Sequence, residues 1–140
     1  MRRCFSLLPS GRDRRGVAAI EFAMVAPFLL LMMFGLVVYG GWFWMAHSVQ
    51  SLASEGARAA IAGLDPAERE TLARGFIDAQ VGDLGLLAKR ASVQVESTAG
   101  VIRVNVAYDV SDHPLMALSA LVPSPPRVIH RTAVVRLGGY

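Results

Sequence analysis

The sequence predicts an α+β protein: one long amino-terminal helix that crosses a membrane and continues as a spine, packed on a small antiparallel sheet of about three strands with a second helix. Three observations carry this. From Phe22 onward about 25 residues pass without a charge, more than the roughly 20 that a transmembrane helix needs. An alanine-rich stretch then follows with only Gly56 as a breaker. Beyond it, apolar residues switch to alternation, with Val93 and Val95, then Ile102, Val104, Val106 and Tyr108.

The chain has 140 residues and a formal net charge of +3. The charge is unevenly placed, because Arg2, Arg3, Arg12, Arg14 and Arg15 stand against Asp13 alone before the apolar run, whereas basic and acidic residues balance after it. This basic flank holds the amino terminus in the cytoplasm and sends the remainder outward, to the periplasm or cell exterior. It is not the basic, aromatic-interleaved face that nucleic acid requires, so no nucleic-acid partner is expected. The lone cysteine, Cys4, can form no internal disulfide and is read as an inert thiol. His47, His113 and His130 are dispersed, and no nucleophile elbow or phosphate loop accompanies them, so neither an enzyme nor a metal, cofactor or small-molecule site is expected.

A secretory signal has an apolar stretch of about 7–15 residues with small residues at its far end. Here the run is about twice that length, and the basic cluster meets a small residue on the near side, as Arg14-Arg15-Gly16 before Val17. Cutting between Gly16 and Val17 would leave the whole helix on the mature protein and create an α-amino group one turn upstream of Glu21. That amine is mostly cationic at neutral pH. In side-by-side subunits it can pair with a neighbour's Glu21, each charge relieving the other's desolvation. The alternative at this point is that Glu21 lies hydrated at the headgroup level of an ordinary anchor. The chain accordingly divides into a basic leader over 1–16, a transmembrane helix over 17–46 and an extracytoplasmic head over 47–140 that includes the far half of the spine.

Along the spine, Pro27 removes one backbone hydrogen bond and marks a kink site. Gly35, Gly40 and Gly41 offer a close-packing face for another helix. Tyr39, Trp42 and Trp44, with Phe43, read as the aromatic belt at the outer interface. A helix over 17–62 would be about 68 Å long at 1.5 Å per residue. Val49, Leu52, Ala53, Gly56, Ala60 and Ile61 are expected to face the head, and Glu55 and Arg58 to be exposed and to pair three residues apart. Gly63 and Leu64 end the spine. Asp65, Pro66 and Glu68 form a helix start for residues 66–80, with Leu72, Phe76 and Ile77 as its apolar stripe. "RVIHRTAVVRL" is the third strand, reached through a short helical turn over 115–121 and a proline-rich connection.

The stretch "RRGVAAIEFAMVAPFLLLMMFGLVVYG" resembles the amino-terminal segment of TadE-like pseudopilins, minor pilin-like subunits of the bacterial Tad (tight adherence) pilus machinery related to type IV prepilins. The matching features are the basic residues and Gly16, then Val17, Glu21, Phe22 and Pro27. A second stretch, "ASEGARAAIAG", is similar to the block after the membrane helix in that family, through Glu55, Gly56, Ala57 and Arg58. The resemblance implies cleavage after Gly16 by a prepilin peptidase, residence in the bacterial inner membrane, and a role in pilus assembly and adherence. The implied partners are pilin or pseudopilin subunits, the inner-membrane assembly platform and the lipid bilayer. The competing reading is an unprocessed single-span protein with a small extracytoplasmic binding or sensory head.

Overall fold

A long run dominated by apolar residues and alanine gives a helix that continues through Pro27 and the Gly40-Gly41 pair into the folded head. In the computed structural model, which describes residues 14–98 and 100–138, helix α1 spans Arg14–Ala59 and passes unbroken through Pro27. The leader residues 1–13, Cys4 among them, lie outside the described residues. A single tight turn, Ala60–Ala62, closes α1, and Gly63 follows in extended conformation.

Helix α2, Pro66–Gln80, starts as the sequence predicts: Asp65 accepts from the Glu68 N–H at 2.8 Å, and Pro66 occupies the first turn where its missing N–H costs nothing. The Glu68 carboxylate reaches back to the N–H of Leu64 at 2.8 Å, one residue further than the usual reciprocal box. Gly63 is required there by close approach, since a Cβ would stand 2.7 Å from the backbone nitrogen of Arg69. Arg69 fastens the same corner, donating to the Gly63 carbonyl at 3.0 Å and to Ser97 Oγ at 2.9 Å.

Three strands follow: β1, Ala91–Ser97; β2, Val101–Asp109; and β3, Val128–Arg136. They form an antiparallel sheet in the order β1-β2-β3, with Val93 opposite Val106 and Val104 opposite Ala133. Alternation sorts the faces. Val93, Ile102, Val104, Val106, Tyr108, Ile129 and Ala133 are buried toward the helices. The opposite face is polar and carries cross-strand pairs, Arg103 with Glu96 at 3.3 Å and Thr132 with Asn105 at 2.7 Å. Helices α1 and α2 therefore cover one face of the sheet, α1 over β2 and β3 and α2 beside β1.

The far half of α1 supplies the centre of the core through Met45, Ala46, Val49, Leu52, Ala53, Ala57 and Ala60. Small residues let α2 come close: a Cβ on Gly56 would lie 2.8 Å from Ile77 Cδ1, and Ala73 faces the same crossing. Ile61 does not face the head as expected but is 46 % exposed. The switch from 100° per residue in α1 to the tighter 120° turn at Ala60 rotates it outward.

Candidate functional site on the spine helix

The near half of α1 is bare. Phe22, Phe28 and Leu36 are 70 %, 74 % and 66 % exposed, and the apolar window of this helix is almost entirely uncovered by the other described residues. The core helix of a water-soluble domain would be covered. A signal sequence fits no better, because α1 becomes core from Val38 onward, and a cut at the far end of the apolar run would remove Met45 and its neighbours from the head.

At the start of the helix, Gly16, Val17, Glu21 and Phe22 are all exposed. Val17 and Glu21 are one turn apart on one face of α1. The peptide bond after Gly16 lies within the first turn. Glycine weakens that turn, at about 1 kcal/mol relative to alanine in a helix. Such a turn unwinds readily.

Pro27 is exposed on the bare half, and its ring takes away the N–H that would bond the Ala23 carbonyl. The three glycines of the proposed helix-packing face differ in what the chain itself places beside them. Gly35 and Gly40 have no neighbour where a Cβ would stand, whereas a Cβ on Gly41 would overlap Leu115 Cδ1. The aromatic residues divide too. Tyr39 and Trp44 are exposed, the latter with its ring edge beside Gly85, whose φ of 68° makes the turn after α2. Trp42 is half-buried and donates its indole N–H to the Pro126 carbonyl at 2.9 Å, fastening the proline-rich connection to the spine.

In the Glu55-Gly56-Ala57-Arg58 block, the two small residues are buried, Gly56 at the α1–α2 crossing, and the two charged ones are exposed. The expected pairing of Glu55 with Arg58 is not made; the ion pairs among the described residues are Arg74–Glu70, Arg90–Asp112 and Arg103–Glu96. A few tenths of a kcal/mol does not hold two long solvated side chains together. Glu55 instead borders a groove of about 350 Å³ between α1 and α2, lined also by Ser51, Leu52, Phe76, Gln80 and Leu84. Only the Phe76 position of the α2 stripe hinted at this groove in the sequence.

The histidines stand apart: His47 exposed on α1, His130 on the polar face of the sheet, and His113 accepting from the Leu115 N–H at 3.3 Å to start the turn over Pro114–Ala120. Beside that turn the Asp109 carboxyl is held below the usual carboxylate range by hydrogen bonds from Ser111, with Arg90 and Arg127 adding to the effect. What Asp109 contributes is therefore present above about pH 4 and is lost as pH falls through its lowered value.

No curated protein and no solved structure matches the chain. The family model of TadE-like proteins matches residues 16–58, beginning at the glycine before Val17 and ending on Arg58, and leaves the sheet and α2 outside the match. Over residues 16–58, nearly the whole of its spine helix, the chain is therefore similar to TadE-like proteins.

Proposed function

We propose that this chain is a minor pilin-like subunit, a pseudopilin, that acts in Tad/Flp-type pilus assembly and adherence after processing by a prepilin peptidase. The observation that supports this most is the division of α1, bare and apolar in its near half and the core of a folded head in its far half. Half of the helix thus needs a partner that the described residues do not supply.

In this reading the arginines keep the amino terminus cytoplasmic, and the head stands on the periplasmic or extracellular side of the inner membrane. The peptidase takes the first turn in extended form, which the glycine makes easier, and cuts after Gly16. The exposed Val17 amine then pairs with Glu21 of an adjacent pilin or pseudopilin helix. Both charges leave water together, so the pair forms well only when two helices are in the right register. The uncovered apolar residues between Phe22 and Val37 pack against lipid before assembly and against neighbouring spines and the assembly platform during it. The chain is the substrate of an enzyme in this scheme and carries out no chemistry of its own.

Replacing Gly16 tests the proposal. Gly16→Leu puts a bulky side chain next to the scissile bond and strengthens the first turn. The variant is expected to keep its leader, seen as a larger species on a gel of membrane fractions, and to fail to support pili. A variant trimmed to the same size as the wild type would contradict the assignment of the cut.

A further inference from the structure

A second membrane contact is visible beside the spine. A hydrocarbon core of about 30 Å takes roughly 20 helical residues. Counted from Glu21, hydrated at the inner face, those residues end near Gly41. Phe34, Gly35 and Val38 then lie at bilayer depth, yet Val38 is fully buried and the other two are half-covered within the chain itself. Val38 shares a face with Gly41, Trp42 and Met45 by helical spacing. On that face Gly41 meets Leu115, and Trp42 bonds to Pro126. The segment running from Pro114 to Pro126 is therefore what lies against the spine at the level where it leaves the membrane.

The chemistry of that segment suits lipid. "PLMALSALVPSPP" contains no charged residue. Four of its positions, Pro114, Pro123, Pro125 and Pro126, have no backbone N–H to satisfy, which lowers the cost of leaving water. The turn Pro114–Ala120 uses its own carbonyls: the Met116 N–H bonds to the His113 carbonyl at 2.8 Å, the Leu121 N–H to that of Leu118 at 3.0 Å, and the Ser119 hydroxyl to that of Met116 at 2.6 Å. Leu115 and Met116 pack on the core while Leu121 is 55 % exposed. Charges return at both ends, with Asp112 paired to Arg90 at 3.3 Å before the segment and Arg127 directly after it.

We propose that residues 114–126 form a foot that rests in the lipid of the head-side leaflet, at the boundary between headgroups and acyl chains, with Leu121 directed into it. The flanking Asp112, Arg90 and Arg127 then sit among headgroups and water. The head is held against the bilayer by two attachments, spine and foot, which fixes its orientation about the spine axis. Drawing the subunit out of the membrane during assembly has to free the foot as well as the helix. This inference rests on the reading of α1 as membrane-spanning.

Site-directed spin labelling of the full chain in phosphatidylcholine–phosphatidylglycerol vesicles tests it, with Cys4→Ser as background and single labels at Leu121→Cys, Leu36→Cys and Leu64→Cys. Leu36 lies on the bare half of α1, and Leu64, 89 % exposed, at the far end of the head. Collisions with oxygen, which concentrates in lipid, are compared with collisions with a water-soluble nickel chelate. The foot predicts that Leu121 behaves like Leu36, losing nickel collisions and gaining oxygen collisions relative to Leu64. Nickel access at Leu121 together with oxygen access at Leu36 would overturn the foot and leave the spanning helix standing. Shielding of Leu121 from both probes would also overturn it, since protein rather than lipid would then cover the residue. Nickel access at Leu36 would overturn the spanning reading itself.

Discussion

Ile77→Ala is expected to destabilise the head by about 2–5 kcal/mol, toward the upper end of that range. Ile77 is fully buried, and its Cδ1 fills the space left by Gly56 at the crossing of α1 and α2. The surroundings cannot close over the hole. Gly56 has no side chain, and Ala53, Ala57 and Ala73 nearby on the two helices have only methyl groups. A domain of this size has a total stability of about 5–15 kcal/mol, so the loss removes a large share of it. Urea titration of the full chain in detergent micelles, followed by the emission of Trp42 and Trp44 at the junction of spine and head, is expected to show the midpoint fall sharply. Leu64→Ala, at an exposed position, is expected to leave it within about 0.5 kcal/mol of the wild type. Equal midpoints for Ile77→Ala and the wild type would mean that α2 is not seated on Gly56 as described.

Glu21→Ala is expected to do the reverse, leaving the head intact and abolishing assembly. Glu21 stands on the bare part of α1, well before the first core residue, so nothing in the head loses a contact. Insertion is expected to be unchanged, because before assembly Glu21 lies hydrated at the inner face rather than at the bilayer centre. The penalty falls on the neighbour's Val17 amine, which would be buried between helices without a counter-charge at a cost of about 3–5 kcal/mol, or more than a hundredfold in association. Cross-linking in membranes is expected to lose the product between this chain and pilin subunits, while the unfolding midpoint and the size of the trimmed protein stay unchanged. Retention of the cross-link would show that Glu21 is only a hydrated residue at the membrane surface.

The legible parts of this chain were those where the residue pattern changes. The capping residues Asp65, Pro66 and Glu68 announced α2 because they satisfy free N–H groups in a way few other combinations do. Alternation announced the strands, since Ile102, Val104, Val106 and Tyr108 all turn to the helices as period two demands. The far half of α1 was readable where large residues such as Val49 and Leu52 mark the inner face, and less so at Ala57, whose burial a run of alanines conceals.

Other features were hidden for physical reasons. Within a uniformly apolar run no residue contrasts with its neighbours, so nothing distinguishes the buried Val38 from the bare Leu36. The division among glycines is equally silent: Gly41 meets Leu115 and Gly40 meets nothing, and only the path of a connection more than seventy residues later decides it. Trp42 reads as an interfacial aromatic in sequence, whereas the folded chain also ties its indole N–H to that connection. The groove beside Glu55 depends on how α2 returns along the spine, which its own pattern does not encode.

The measurement that bears most directly on the pseudopilin account is the intact mass of the protein recovered from native membranes, with and without an active prepilin peptidase. Loss of the first 16 residues, leaving Val17 at the amino terminus, is expected only when the peptidase is active. A full-length protein under both conditions would contradict it, and the chain would then be an unprocessed membrane anchor whose bare helix serves no filament.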